Sequence, residues 1–410
     1  MTAPATRPPQ WYQSVTALLV AGCMVAIVNF GVRSSFGFFT VPVSDAHGWP
    51  REIFSFAMAL SNLVWGLATP VAGMLADRYG SARVLMAGAV IYFAGLLMMA
   101  FTTTPFLFNV GGGLLVGTGV AFSSFSIVMA ALGRIVPPER RSWAFGIATA
   151  SGSMGQFIFA PLGAMLIAAY GWQNALLALA AMSLLIIVFA APLMSQNTSG
   201  APVTAGEADL TMRRAIGMAF GHGSYLLLVS GFFVCGFQLA FITVHLPAYL
   251  TEHGISKEFA GIALGLIGLF NVIGSYASGM IGGKHEKRIP LAFIYLMRSA
   301  LIAGFVLLPV SNVTTLAFTI SMGLLWLSTV PLTMGLVTVM FGTRYMATLY
   351  GFVFVSHQLG SFIGVWLGGR LYDAYGSYDI VWWLSVALGV FAFLVHLPIR
   401  ERRAARFAAA

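Results

Sequence analysis

The chain has 410 residues and a formal net charge of +9, yet only 8% of its residues are charged and 59% are hydrophobic. A soluble globular domain carries about 25% charged residues, so this composition excludes an ordinary soluble fold and indicates a membrane protein. Apolar runs of 20 residues or more recur along the whole chain, and each is long enough to cross a hydrocarbon core of roughly 30 Å.

Taken in chain order, these runs predict twelve membrane-spanning helices, although 83–133 also admits a different division. The segment before the first run, MTAPATRPPQWYQS, is polar and Pro-rich, and no small-residue cleavage pattern follows that run. We therefore interpret the first run as a retained helix and not as a removed signal. The predicted spans are 15–41, 53–76, 83–103, 106–133, 143–168, 173–194, 223–250, 259–282, 289–309, 313–340, 347–370 and 378–398.

The distribution of the cations predicts the orientation of the chain. With the N-terminus in the cytoplasm, sixteen of the twenty-one Lys and Arg residues fall in cytoplasmic segments, three on the outer side, and two, Arg33 and Arg298, within spans. This positive-inside bias predicts a multi-pass plasma (bacterial inner) membrane protein with both termini cytoplasmic. It also argues that the charge serves membrane topology and not nucleic-acid binding.

Several landmarks recur at one offset, which predicts two similar halves. Gly73 and Gly279 are 206 residues apart, and Pro42 and Pro247 are 205 apart. We expect a six-span half in 1–194, a second in 223–410, and a polar cytoplasmic linker in 195–222, with or without a short surface helix. In transporters built from such repeats, the substrate site lies at the interface of the halves near the midplane.

The loop after the second span carries the motif Gly73-x-Leu-Ala-Asp77-Arg78-x-Gly80-x-x-Arg83. This motif closely resembles the loop between the second and third helices of major facilitator transporters, and it stands at the same ordinal loop. Asp77 can cap a helix start or pair with cations across the loop. The resemblance implies an all-α membrane fold of twelve helices in two pseudo-symmetric halves, and it marks these five residues as a conformational loop.

Two further segments give a narrower resemblance. Residues 140–150, Arg-Arg-Ser-Trp-Ala-Phe-Gly-Ile-Ala-Thr-Ala, are similar to the segment entering the fifth helix of monocarboxylate transporters, with departures at Trp143 and Ser151. Residues 32–34, Val-Arg-Ser, are similar to the first helix of that family, where Lys or Arg precedes Ser. The chain thus resembles bacterial members of the monocarboxylate transporter and oxalate–formate antiporter family.

The family's coupling chemistry does not transfer directly to this chain. The Asp-x-x-x-Arg pair common in the eighth helix of animal members appears here as Asn271 and Ser275. The aromatic-rich Asp-Gly motif of the family's first helix is also missing, as is the Arg-containing motif found in the fourth helix of many proton antiporters. We therefore do not carry the proton-coupling scheme of the animal members over to this chain.

All twelve acidic residues fall at span ends or in loops, whereas Arg33 and Arg298 lie within spans. A central Arg costs about 2.5–3.5 kcal/mol on insertion scales, so it usually faces a cavity or a partner. We predict that Arg33, with Asn29 one turn before it, binds a substrate carboxylate. The alternative is that Arg33 snorkels or braces a loop. Arg298 is a second substrate candidate, or else it bonds backbone carbonyls to hold helix ends together.

Several uncharged or titratable span residues could complete such a site. His357 could bind the anion or relay a proton, and His245 is a second candidate for proton coupling. Gln238, Asn271 and Trp326 are candidates for substrate contact. For each of these residues the alternative is structural: a neutral interhelical hydrogen bond for His357, Gln238, His245 and Asn271, and plain packing for Trp326.

These features predict a secondary transporter of small organic anions, such as the monocarboxylates lactate or pyruvate, coupled to a proton and working as a monomer by alternating access. Anion exchange of the oxalate–formate type is the alternative within this class, and a non-transporting receptor for an organic anion is the alternative outside it. No metal-ligand spacing, phosphate loop or catalytic triad is apparent in the sequence, so we expect no enzyme activity, no metal and no cofactor.

Overall fold

The computed structural model describes residues 14–196 and 211–404, and every regular element within these ranges is a helix. Within these ranges, eleven apolar helical segments are long enough to cross a membrane, and one of them, Pro138–Met194, has 57 residues. That segment leaves helical geometry at Gly171, which has φ 77° and ψ 163°. A span needs about 20 residues, so Gly171 divides the segment in two. The prediction of an all-α fold with twelve spans is confirmed.

We label the spans α1 to α12 in chain order. Their bounds are α1 Val15–Ser34, α2 Arg51–Tyr79, α3 Ser81–Phe101, α4 Pro105–Ile135, α5 and α6 together Pro138–Met194, α7 Gly223–Glu252, α8 Lys257–Lys284, α9 Arg288–Leu307, α10 Asn312–Phe341, α11 Met346–Tyr375 and α12 Asp379–His396. Short helices precede α2 (Thr40–His47) and α7 (Met212–Phe220). Residues 1–13 and linker residues 197–210 lie outside the described ranges.

Local sequence signals begin and end these helices. The hydroxyls of Ser14 and Ser256 accept hydrogen bonds from backbone N–H groups in the first turns of α1 and α8, at 3.1 and 3.2 Å. Such caps satisfy donors that have no partner inside the helix. Between α2 and α3 the connection is the single residue Gly80 at φ 94°, a conformation that glycine adopts without steric cost.

Two spans are broken at corresponding places in the two halves. Helix α4 is interrupted at Ser123 and Ser124, before a new helical segment begins at Phe125. Helix α10 is interrupted between Leu325 and Thr329. At membrane depth, non-helical backbone is tolerated only where it is buried in protein or lines a cavity. Both breaks therefore point toward the interior of the bundle.

The two halves meet closely through α2 with α11 and through α5 with α8. A Cβ atom at Gly73 would lie 2.5 Å from the carbonyl oxygen of Ala347, and one at Gly146 would lie 2.7 Å from the Cα atom of Gly279. Small residues let helix backbones approach this closely. These contacts close the bundle at the end that carries Asp77, which we call the Asp77 end.

The outer surface of the bundle suits a lipid environment. Large apolar side chains such as Leu67, Phe157, Phe362 and Trp366 are more than half exposed on the spans. In a water-soluble protein such a surface would promote aggregation, whereas lipid tails solvate it. The chain is therefore a multi-pass membrane protein.

Candidate functional site

A cavity lies between the halves, lined by residues of α1, α2, α4, α5, α7, α10 and α11. Its wall is mostly aromatic, and the polar lining residues include Thr149, Ser153, Gln156 and His357. Small-molecule sites are typically concave, mostly apolar, and carry a few placed polar groups. The breaks in α4 and α10 border this cavity, since Phe125 and Leu327 are among the lining residues.

Arg33 stands at the edge of the cavity. Its guanidinium lies over the ring of the lining residue Trp65, with Cζ 4.7 Å from the centroid. One of its Nη2 hydrogens is donated to Oδ1 of Asn62 on α2. Arg33 is half-buried, and within the described ranges no Asp or Glu side chain forms an ion pair with it. The cation is therefore held by a ring and a neutral amide and remains able to bind an anion.

A short polar chain connects Arg33 with His357 across the interface of the halves. The side-chain amide of Gln358 donates to the backbone carbonyl of Asn62 at 3.0 Å, and Nδ1 of His357 lies 3.1 Å from Oε1 of Gln358. The imidazole is parallel to the Phe354 ring, with centroids 5.3 Å apart. The structure thus brings two residues predicted from the sequence into one connected group that borders the cavity.

Arg298 occupies a different environment at the break in α10. It is fully buried, and its guanidinium donates to the carbonyl oxygens of Leu325 at 2.6 Å and of Trp326. A further contact joins its Nη1 to Sγ of Cys235 at 3.5 Å. The sequence analysis considered substrate binding and the support of helix ends as roles for Arg298. These hydrogen bonds are those of a residue that holds helix ends together. Trp326, half-buried, contributes its carbonyl to the same junction.

Asn271 also supports the break in α10, and it joins the two halves. Its side-chain oxygen accepts from the backbone N–H of Leu327 at 2.9 Å and from the Ser275 hydroxyl at 3.0 Å, while its amide donates to Ser153 on α5 at 2.7 Å. Ser153 and Leu327 line the cavity. Asn271 therefore lies directly behind the cavity wall and positions two of its members.

Three other predicted residues bond neighbouring helices away from the cavity lining. Asn29 donates to the Ser123 hydroxyl at 2.6 Å, at the break in α4. The Gln238 amide donates to the carbonyl of Ser385 on α12 at 2.9 Å. His245 lies 3.0 Å from the carbonyl of Val365 on α11. These contacts are of the interhelical kind that the sequence analysis left as the alternative.

Asp77 lies at the centre of the conformational loop. It both pairs with a cation and contacts the start of a helix, the two roles considered from the sequence. One carboxylate oxygen pairs with Arg134, and the other accepts from the backbone N–H and the hydroxyl of Thr348, at 2.9 and 2.7 Å, in the first turn of α11. A carboxylate is favourable at a helix N-terminus. Arg78 and Arg83 are exposed and take no part in this network. The contact ties α2 of one half to α11 of the other.

Sequence reasoning missed several residues that the cavity uses. Asn62 and Trp65 lie three residues apart on α2, and this pairing of an amide and an indole in an apolar run was the available signal. Gln358 directly follows His357. The break in α10 had a signal too, because Pro331 has no N–H to donate to the carbonyl of Leu327.

The site has the chemistry of reversible binding and not of bond breaking. A cation, an imidazole and aromatic walls converge on one cavity, and two six-helix halves enclose it from both sides. Within the described residues no group of three or more His, Cys, Asp or Glu side chains could hold a metal ion. This combination of fold and site defines a polytopic membrane carrier.

Residues 22–365 match the sequence profile of the Major Facilitator Superfamily. The protein belongs to this superfamily, and it is a transporter and not an enzyme. Monocarboxylate transporter 13 of Bos taurus is 28% identical over 377 residues, covering 91% of this chain and 86% of that relative. The uncharacterized MFS-type transporter YcxA of Bacillus subtilis (strain 168) is 23% identical over 387 residues, covering 91% and 92%.

A solved structure gives the same picture of the fold. The E. coli fucose:proton symporter FucP superimposes with a TM-score of 0.72 at 15% identity, covering 93% of this chain and 98% of that chain. At this identity the likeness speaks for the architecture alone. The predicted major facilitator fold is therefore confirmed by sequence and by structure.

Proposed function

We propose that this chain carries small organic monocarboxylates, such as lactate or pyruvate, across the membrane by alternating access, in symport with a proton. The observation that carries the proposal is Arg33, a span cation beside the central cavity whose partners are the Trp65 ring and the Asn62 amide. An Arg fork suits a carboxylate because it can donate two parallel hydrogen bonds. The similarity to mammalian proteins named monocarboxylate transporters supports the same class of substrate.

We assign the proton-binding role to His357. It lines the cavity, it connects to Arg33 through Gln358 and Asn62, and imidazole is the side chain that titrates near neutral pH. Moving an anion together with one proton is electroneutral, which avoids a cost of about 2.3 kcal/mol per charge per 100 mV of membrane potential. His245 bonds a helix carbonyl outside the lining, so we give it no part in coupling.

We further propose that the Asp77 end faces the cytoplasm, together with both termini, in a bacterial inner membrane. In the topology predicted from the sequence, most Lys and Arg residues outside the spans lie on the side of the Asp77 end. In this orientation the contacts of Asp77 with Arg134 and Thr348 hold the cytoplasmic side closed. Their release would then accompany opening toward the cytoplasm.

The test is uptake of labelled lactate, pyruvate, formate and oxalate into proteoliposomes, with and without an inward proton gradient. We expect gradient-stimulated uptake of a monocarboxylate by wild type and its loss in Arg33→Ala. Arg213→Ala is the matched control. Arg213 is exposed on the short helix Met212–Phe220, so this substitution removes one cation outside the cavity.

Other outcomes would redirect the proposal. Uptake that ignores the proton gradient but requires internal anion would establish exchange in place of symport. Binding without net flux would establish a receptor. Full uptake by Arg33→Ala would overturn the assignment of Arg33 to the substrate.

A further inference from the structure

We propose that the preferred cargo is an aryl monocarboxylate, an acid with one carboxylate and one aromatic ring, and that four cavity rings determine this preference. The four rings, here called the aromatic box, belong to Phe30, Trp65, Phe125 and Phe354. This inference rests on the proposed function, since it names the substrate class within the same carboxylate-binding cavity.

The aromatic box is a closed cycle of contacts. Phe30 lies 5.4 Å from Phe125 and 6.1 Å from Trp65, and Phe354 lies 4.8 Å from Trp65 and 6.1 Å from Phe125, all between ring centroids. The rings come from α1, α2, α4 and α11, so both halves of the protein contribute. Their interplanar angles run from 44° to 82°. An aromatic guest can add offset or edge-to-face contacts with the ring surfaces that line the cavity.

The position of Arg33 orients a guest toward the aromatic box. Its guanidinium lies over the Trp65 ring, with Cζ 4.7 Å from the centroid, so a carboxylate bound to Arg33 lies close to that ring. The rest of the molecule then lies against Trp65 and its neighbours in the box. His357, parallel to Phe354 and with its centroid 5.1 Å from the Phe232 ring, lies beside the same wall.

The hydroxyls of the cavity offer little to a polar guest. Thr149 donates to the carbonyl of Phe145 at 2.8 Å, and Ser153 donates to the carbonyl of Thr149 at 3.2 Å. A hydroxyl has one hydrogen to donate, so both are already used within α5. A dicarboxylate or a polyol would leave polar groups unpaired in this cavity, at a cost in free energy. Among the described lining residues, Gln156 and His357 are the side chains that remain for a second polar group.

Amino acids with aromatic side chains fit less well than simple aryl acids. Their ammonium group would need an acceptor, and among the described residues the cavity lining contains no Asp or Glu. Arg33 would repel a nearby cation. The lining therefore selects for an acid without an amino group.

The aromatic wall of the cavity favours a ring over a three-carbon acid. Phe30, Trp65, Phe125, Phe232 and Phe354 all line it. Lactate would contact Arg33 but leave most of the aromatic wall uncovered, and uncovered walls forfeit dispersion contacts. An aryl acid fills that space with a ring.

The test is isothermal titration calorimetry of the purified, detergent-solubilised chain with 3-phenylpropionate and with lactate. We expect 3-phenylpropionate to bind about tenfold more tightly, the size expected from one or two added aromatic contacts. Phe354→Leu should weaken 3-phenylpropionate binding by about fivefold to tenfold and change lactate binding by less than about twofold. Phe362→Leu, on the same helix but 57% exposed on the outer surface, should change neither affinity.

The outcomes separate this inference from the proposed function. Lactate binding as tight as that of 3-phenylpropionate, or equal losses for both acids in Phe354→Leu, would overturn the aryl preference. If lactate then still requires Arg33, the proposed function stands alone. If neither acid binds in an Arg33-dependent way, both proposals are overturned. Phe125→Leu provides a second box variant should Phe354→Leu fail to fold, as judged by its thermal unfolding.

Discussion

The two arginines within the spans occupy regions that differ in almost every respect. Arg33 is half-buried at the edge of the cavity, where its partners are the Trp65 ring and the Asn62 side chain. Arg298 is fully buried at the break in α10, where its guanidinium satisfies the carbonyls of Leu325 and Trp326. Both are cations in a membrane interior without a carboxylate partner among the described residues.

This difference shows that the partners of a charge, and not its depth alone, decide what the charge does. Backbone carbonyls fix the Arg298 guanidinium in place, and losing it would leave two buried acceptors without donors. A single side-chain amide and a ring leave Arg33 with donors to spare, since a guanidinium has five N–H groups. We therefore assign anion binding to Arg33 and helix support to Arg298.

The largest expected effect is on stability at the α10 break. Replacing Arg298 with Met, an unbranched apolar residue, leaves the carbonyls of Leu325 and Trp326 unsatisfied. At about 1–3 kcal/mol for each of these two buried unpaired groups, the free energy of unfolding should fall by about 2–6 kcal/mol. Thermal unfolding in detergent measures this change. Arg33→Met is the matched control and should lower stability by less than half as much; equal losses would erase the distinction between the two arginines.

The next largest effect is on substrate affinity at the cavity. Arg33→Met removes charge-assisted hydrogen bonds worth about 1.5–3 kcal/mol, so the half-saturating monocarboxylate concentration should rise by about tenfold to hundredfold. Arg33→Lys keeps the charge but loses the fork, and should fall between wild type and Arg33→Met. Concentration-dependent uptake into proteoliposomes supplies these values. A wild-type half-saturating concentration in Arg33→Met would remove Arg33 from the site.

A third comparison sets the two broken helices against each other. Asn271 makes three hydrogen bonds at the α10 break, including one to the N–H of Leu327. Asn29 makes a strong bond to Ser123 at the α4 break and a long one to the Val120 carbonyl. We expect Asn271→Leu to lower the free energy of unfolding by about 1–3 kcal/mol and Asn29→Leu by about 0.5–1.5 kcal/mol. A larger loss at Asn29 would reverse our view of which break depends more on side chains.

The smallest expected effect concerns coupling. Gln358→Leu cuts the link between His357 and the Asn62 carbonyl without removing the imidazole or Arg33. Because the anion-binding cation remains, binding of the monocarboxylate should stay within about threefold of wild type. The stimulation of uptake by a proton gradient should fall by at least about half, since the imidazole loses its orienting partner. Unchanged stimulation would show that His357 works without this chain.

Most of the fold could be predicted from the sequence, because apolar length and cation placement are strong local signals. The span ends at Tyr79, Phe101 and Phe341 were predicted within three residues. The interruptions in α4 and α10 were not foreseen, although Ser123 and Ser124 mark the first and Pro331 follows the second. Nor was the difference between Arg33 and Arg298, because a sequence shows which residues lie within a span but not which carbonyls face them.

The sequence indicated which residues could belong to the candidate site, but not which of them lie next to one another. Polar residues stand out in apolar runs, which is why Arg33, His357 and Asn271 could be selected. The rotation of each helix about its axis decides which of these residues face the cavity. The spans are only weakly amphipathic, so their sequences do not indicate that rotation. The connection of Arg33 with His357 through Asn62 and Gln358 depends on the contact between α2 and α11, which the sequence does not show.

The most direct measurement is the change in melting temperature that a saturating monocarboxylate produces in wild type and in Arg33→Ala. A ligand present at about 100 times its dissociation constant stabilises the folded state by about 2.7 kcal/mol. We predict that the ligand raises the melting temperature of wild type, whereas Arg33→Ala melts near the wild-type temperature without ligand and gains nothing when ligand is added. An equal rise in Arg33→Ala would contradict the assignment of anion binding to Arg33.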